Sequence, residues 1–409
     1  MRWAAIVPLI GGQVVGTRDA LGSDPEFMLS YPDFAGNDRY IRRYLPDVPF
    51  HLLPDGLRDV RGKWAGKLDL LVSTCPCAGL SMLSPHKAGS PQRAEKNAWM
   101  LKTTELVLSE LRPQALLGEN APQLATRMGT DVRDGLAKLA EDHGYVAQFV
   151  KVSTTMTGIP QHRERAFYYL TRGKTAPVLQ WETKPLRDLQ HHLEYYETVG
   201  GAPAMDVPFM HQLSTDPMYV FLQEKFGSHW RNPDRSNRGY SDALGVFHRD
   251  HSLFAEFCDR WPTRADYTLG TSYDSAQAHT VHRVWDKLQN APGTGCYVMP
   301  PIFARGPGWY PAVTAKTLER LVHPGVDRYL TYGEVAHGLM GLPLDFELPP
   351  VQHYNIICQN VPTWTAAEAT RALIPFLEGR SAWHVGEGPV LTDFLRGREP
   401  KFLSSEVTF

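Results

Sequence analysis

The sequence predicts an α/β fold: a mostly parallel sheet covered by helices on both faces, with a second, irregular region beside it. Three observations carry this. Short apolar, β-favouring runs alternate with stretches of helical periodicity over residues 1–175. The runs have the character of buried strands, as expected where helices cover both faces of a sheet. Between about residues 176 and 310 periodicity fades, while glycine, proline, histidine and aromatic residues become frequent.

The elements follow in order. Ala4 to Ile10 has the pattern of a first strand running into the turn Gly11-Gly12, with Gly16 further on. Glycines there let backbone approach a ligand, and the helix that follows presents its N-terminus. Phe27 to Tyr31 suits a second strand. Leu68 to Thr74 is a buried-strand run leading to Cys75-Pro76-Cys77, and Pro76 cannot donate to a ladder. Cys77 therefore sits at a strand's carboxyl end, where open α/β sheets hold their ligands. A thiol in that place is either a nucleophile or a buried structural cysteine. A loop rich in Gly, Ser and Pro follows, to about Pro91.

A helix opens near Asn97, with Met100, Leu101, Leu106, Val107, Leu108 and Leu111 at helical spacing, and Arg112-Pro113 ends it. Ala115 to Gly118 is another strand run, carrying Glu119-Asn120 at its end. Val132 to His143 is a helix capped by Gly144, and Tyr145 to Val152 a strand. The turn Gly158-Ile159-Pro160 precedes Gln161-His162-Arg163-Glu164-Arg165 and the strand-like Ala166 to Leu170. Thr331 with Glu334 has capping-box spacing, and Thr365 to Leu373 forms a last helix. Residues 376–409 carry no usable pattern.

Composition narrows the partners. A chain of 409 residues can hold two domains and a sizeable core. A formal net charge of −2 excludes a strongly basic coat, so nucleic-acid contacts must come from local clusters. Such a cluster is His229 to Tyr240, where Arg231, Arg235 and Arg238 stand among Asn232, Ser236 and Asn237. It suits phosphates and guanine edges, or a solvated loop. Five scattered cysteines argue for a reducing compartment. Neither the lone Cys-x-Cys nor the histidines, such as His191-His192 and His279 with His282, make a metal set. The apolar start Met1 to Val7 is too short for a signal sequence, and no run can span a membrane, so a cytoplasmic protein is expected.

Pro76-Cys77, Glu119-Asn120-Ala121-Pro122, Gln161-x-Arg163-x-Arg165, Thr331 to Glu334 with Gly341-Leu342-Pro343, and Asn360-Val361-Pro362 stand in a fixed order. In that order the set resembles the DNA cytosine-5 methyltransferases. The resemblance covers residues 1–175 and 311–375. It implies a Rossmann-like S-adenosylmethionine-dependent sheet formed by 1–175 and 311–409, with a target-recognition domain over 176–310. It also implies a monomer acting on double-stranded DNA, as in restriction-modification.

The resemblance assigns roles. Cys77 is the thiolate that adds to cytosine C6, activated by nearby positive charge. Glu119 bonds the ring edge at N3, Asn120 positions that carboxylate or the loop, and Arg163 and Arg165 hold the flipped base and its phosphate. Gly11 and Gly12 hold the cofactor, with Pro76, Met100, Asn360 and Val361. Asp38, or its rival Asp33, takes the ribose; Asp59, or its rival Asp55, lies near the adenine amino group. Ser81 and Gln161 join Arg231, Arg235 and Arg238 as DNA contacts, and residues 78–96 supply a closing loop. The chain departs from the family at Val7 and Leu9, where Phe and Gly are usual, at Ala78 for Gln, and at Cys358 for Gly. These departures leave open a DNA-binding homologue without turnover or one with another methyl donor. An RNA cytosine-5 methyltransferase is a further alternative.

Overall fold

The computed structural model of the chain describes residues 1–75, 79–80, 91–198, 217–226, 250–260, 302, 304, 308–314, 317–318, 321–325, 328–350, 353, 355–397 and 399–403. Its centre is a nine-stranded sheet in the order β3-β2-β1-β4-β5-β8-β6-β10-β11. The strands are β1 (Trp3–Ile6), β2 (Met28–Ser30), β3 (Phe50–Leu52), β4 (Leu70–Ser73), β5 (Ala115–Asn120), β6 (Tyr145–Ser153), β8 (Glu164–Arg172), β10 (Val390–Asp393) and β11 (Lys401–Phe402). Two further strands, β7 (Gln161–His162) and β9 (Tyr310–Pro311), form a separate parallel pair. The helices used below are α1 (Gly12–Leu21), α2 (Ala35–Tyr44), α3 (Gly56–Trp64), α4 (Pro91–Leu106), α5 (Thr130–Asp142) and α6 (Thr363–Arg371). No helix among the described residues is long and apolar enough to cross a membrane.

β1, β4 and β5 are buried along their whole length, as their apolar runs predict. Alternate residues serve opposite faces. Trp3, Ala5, Leu70, Val72, Ala115 and Leu117 join one core with Val14 and Val15 of α1 and Ala366 and Ala369 of α6. Ala4, Ile6, Leu71 and Leu116 join the other with Leu108, Leu111 and Leu136. α1 packs closely on α6 because Gly16 has no side chain. A Cβ there would meet the Thr363 carbonyl and Ala366.

The sheet is parallel except at β8, which runs antiparallel between β5 and β6, and at β11. The chain leaves β1 outward through β2 and β3, then returns to β4 on the other side. The carboxyl ends of β1 and β4 therefore face a topological switch point, where such sheets bind ligands.

β1 is shorter than its apolar run. It stops at Ile6 because Val7 (φ 53°) and Leu9 (φ 51°) turn the backbone into the left-handed region before α1. The helix ending at Arg112-Pro113 continues past α4 as a π-helical turn, Val107–Leu111, and Arg112 itself closes it with φ 49°. Residues near the C-terminus, which show no pattern in the sequence, extend the sheet: β10 pairs in parallel with β6 over Gln148 to Lys151. The segment after β8 stays on this body, with Thr157 bridged to Lys184 and Pro177 to Trp383. The capping box forms: Thr331 Oγ1 accepts from the Glu334 amide at 3.1 Å, and Glu334 accepts from the Thr331 amide at 2.7 Å.

Candidate active site at the carboxyl edge of the sheet

β5 carries Glu119 and Asn120 to the sheet's carboxyl edge, both buried. Arg165 on the antiparallel neighbour β8 reaches Glu119, its Nε 2.6 Å from Oε1. Burial pushes the Glu119 carboxyl above the usual glutamate range, while Arg165 and then Arg163 pull it down. The result is a carboxyl that can carry a proton beside a fixed guanidinium. Such a pair can donate to a ring nitrogen and then balance the charge left behind.

Asn120 works on the neighbouring strand. Its Nδ2 donates to the Cys75 carbonyl at 3.3 Å and lies 3.6 Å from the Met100 sulfur, while its Oδ1 accepts from the Ala121 amide at 2.9 Å. Asn120 thereby fixes the chain immediately before Pro76. Met100, expected at the cofactor, is buried beneath this amide. Cys75 is fully enclosed, 3.3 Å from the Ser73 hydroxyl, and burial raises its thiol pKa. Its surroundings suit a structural thiol and not a reactive thiolate.

The second half of the site surrounds the N-terminus of α1. Gly12 donates its amide to Asn360 Oδ1 at 2.8 Å. Only glycine fits at this joint, since a Cβ would collide with the Asn360 amide and the Val361 carbonyl. Beside Gly12 and its neighbour Gly11 lie buried polar atoms without a protein hydrogen bond: Asn360 Nδ2, both amide atoms of Gln13, Ser30 Oγ and both carboxylate oxygens of Asp38. Desolvation pushes Asp38 up to about 7, with the Ser30 hydroxyl, the Leu9 backbone and Arg42 opposing it. Buried groups of this kind carry a cost unless something satisfies them. A ligand with hydroxyls and a carboxylate would do so, which makes this donor and acceptor set fit a nucleoside-amino-acid cofactor.

Three residues are placed otherwise than the resemblance implies. Arg163 is engaged with backbone: its guanidinium donates to the carbonyls of Val313, Cys358 (2.5 Å) and Asn360 (3.0 Å). It staples the closing segment to the sheet. Gln161 is fully buried, donating to the Leu339 carbonyl and accepting from the Val313 amide, both at 2.9 Å, so neither end of its amide faces DNA. Asp59 lies within α3, exposed, 3.3 Å from His51, and not where the chain leaves β3. Its rival Asp55 precedes α3 and is also exposed, as is Asp33. Pro76, Cys77, Ser81, Arg231, Arg235 and Arg238 lie outside the described residues.

Sequence reasoning missed two groups. Tyr31, Phe34 and Trp99 form an aromatic cluster where β2 ends, with Tyr31 and Trp99 edge to face at 4.8 Å and Tyr31 Oη 3.2 Å from Thr103. Trp99 carries no local signal, because its partners Tyr31 and Phe34 are distant in sequence. Gln13 followed the glycines unremarked, since a glutamine in a first helical turn is ordinarily solvated.

Comparison with known proteins identifies the family. A family model for C-5 cytosine-specific DNA methylases matches residues 57–374. Type II methyltransferase M.AgeI of Thalassovita gelatinovora is 29% identical over 116 residues, 28% of this chain and 26% of that protein. Type II methyltransferase M.NaeI of Lentzea aerocolonigenes is 23% identical over 199 residues, 44% of each. The chain thus spans less than half the length of either curated relative. A putative DNA modification methyltransferase encoded within an Escherichia coli prophage superposes with TM-score 0.56 at 17% identity, covering 92% of this chain and 99% of that one. The Entamoeba histolytica methyltransferase EhMeth superposes with TM-score 0.51 at 11% identity, covering 93% and 98%. Both structural likenesses are of fold.

Proposed function

The chain belongs to the C-5 cytosine-specific DNA methylase family, and we propose that it methylates C5 of a cytosine flipped out of double-stranded DNA, using S-adenosylmethionine. The observation that carries this reading is the buried Glu119–Arg165 pair at the end of β5, beside the chain that Asn120 fixes before Pro76-Cys77. A carboxyl raised by burial suits proton donation to N3 of the ring. In this mechanism the Cys77 thiolate adds to C6 as Glu119 protonates N3, which makes C5 nucleophilic. After methylation water takes the C5 proton, the thiolate departs, and N3 returns its proton to Glu119, which restores the ring. Arg165 stabilises the Glu119 carboxylate while it lacks the proton. Arg163 acts as a positioning residue, holding the Cys358–Asn360 backbone against the site.

The cofactor, when bound, supplies an electrophilic methyl group on sulfur. Gly11 at the α1 N-terminus and Asn360 Nδ2 would hold its carboxylate, with Gly12 holding the Asn360 amide in place, and Asp38 would hold its ribose hydroxyls. The Tyr31–Phe34–Trp99 cluster offers an aromatic wall for adenine, replacing the ring lost at Val7. The test uses a duplex carrying 5-fluorocytosine at the methylated position, found first by bisulfite sequencing. With no C5 proton to remove, methyl transfer should leave the protein covalently bound through Cys77. The adduct should need the methyl donor, persist in Cys75→Ser and vanish in Cys77→Ser. An adduct lost in Cys75→Ser instead would overturn the assignment, and none in the wild type would leave a DNA-binding protein without turnover.

A further inference from the structure

The opposite edge of the sheet carries a second cluster of charge. There Arg112 follows the π-helical turn after α4, His143 follows α5, β6 begins at Tyr145 and β8 ends at Arg172. These residues and Gly66 line a cavity of about 250 Å³. β5 runs from Ala115 on this edge to Asn120 on the other, so five residue steps separate the cavity from the catalytic edge, about 17 Å at strand rise. No part of the cavity can touch the reacting base.

The cavity is built for an anion. Arg172 is held in place: it donates to the carbonyls of Arg112 and Pro113, the latter at 3.2 Å, and lies over the Tyr145 ring at 5.7 Å. Tyr145 is fixed in turn by donating to the Pro113 carbonyl at 2.6 Å. Arg112 adopts a left-handed backbone, φ 49°, which non-glycine residues seldom take. Neither Arg112 nor Arg172 has a carboxylate partner among the described residues. The nearby acids are engaged elsewhere: Glu110 pairs with Arg61 and Asp142 with Lys138. Both guanidinium groups are close enough to Tyr145 to pull against the rise that burial gives its hydroxyl. Two cations gathered around one phenol without a counter-charge repel, and a bound oxyanion relieves that repulsion with charge-assisted hydrogen bonds.

We propose that Arg112, Arg172 and His143 form a phosphate-binding site on the face opposite the catalytic edge. The phosphate comes either as a free monoester or as the backbone of a DNA segment passing behind the sheet. Calorimetry of the full chain with inorganic phosphate, at ionic strength matched with chloride, tests it. Saturable binding at millimolar phosphate is expected, with a raised melting temperature. Arg112→Gln should weaken binding about tenfold, the loss of one charge-assisted contact. Its side chain is exposed, so folding should be unchanged. Arg172→Gln should abolish binding, and its melting temperature without phosphate shows whether the lost carbonyl contacts also matter for stability. Duplex titration of Arg112→Gln separates the two sources. Weaker binding with a shallower salt dependence assigns DNA backbone, and unchanged binding assigns a free monoester. No saturable phosphate binding by the wild type, or equal affinity in Arg112→Gln, overturns the proposal.

Discussion

Replacing Asp38 by Asn should make the ligand-free protein more stable at neutral and alkaline pH while weakening its hold on the cofactor. Asp38 is fully buried on α2, where the Ser30 hydroxyl, the Leu9 backbone and Arg42 only partly offset the desolvation of its carboxylate. Desolvation raises its pKa from 3.8 to about 7. Below pH 3.8 folded and unfolded chains are both protonated at this residue, and it costs nothing. Between 3.8 and about 7 the folded chain keeps a proton that the unfolded chain has released, so stability falls as pH rises. Above that window the full cost of a buried carboxylate is present. Roughly three pKa units at 1.36 kcal/mol each give a ceiling of about 4 kcal/mol. An amide keeps the shape and has no charge to bury. Urea melts of the wild type and Asp38→Asn should therefore differ by at most about 2 kcal/mol at pH 5 and by up to about 4 kcal/mol at pH 8, with the variant the more stable. Calorimetry with S-adenosylhomocysteine should show weaker binding to the variant, because a neutral amide accepts less strongly from ribose hydroxyls. Parallel stability curves for the two proteins would refute the argument, since they would mean that Asp38 is solvated or paired in the folded chain.

Other substitutions separate the remaining roles. Glu119→Gln should slow methyl transfer on the order of 10²–10⁴-fold in single-turnover assays while duplex binding persists. In the wild type the rate should fall as pH rises through the raised Glu119 pKa, and Arg165→Met should move that limb to higher pH because Arg165 lowers it. Arg163→Lys should lower stability by about 2–4 kcal/mol by urea melt, since one ammonium cannot serve three carbonyls. An unchanged melt with lost catalysis would instead return Arg163 to the base. Gly12→Ala should cost about 1–3 kcal/mol through the collision with Asn360 and remove measurable S-adenosylhomocysteine binding; a variant that binds normally would show that the joint yields freely.

The strands at the site were legible because their signals are local. Unbroken apolar runs mark β1, β4 and β5, Gly144 marks the end of α5, and Thr331 with Glu334 marks a cap, each within a few residues. The order of Cys77, Glu119, Arg165 and Asn360 was likewise visible without a fold. Local pattern overran only where backbone conformation intervened, as at Val7 and Leu9, whose left-handed turn cuts β1 short. β10 and β11 escaped notice because they are short, β10 half-buried and β11 an exposed edge, and only pairing makes them strands, β10 with β6 and β11 with β10. The tertiary structure alone decided what each polar side chain faces. Arg163, just before β8, and Arg165, on it, are two residues apart, yet one grips carbonyls 195 and 197 residues away and the other grips Glu119. Gln161 turns inward to segments around 313 and 339, and Gly12 meets an amide 348 residues distant. Residue type and spacing record what a side chain can bond, whereas its partner depends on which remote segment packing brings within about 3 Å.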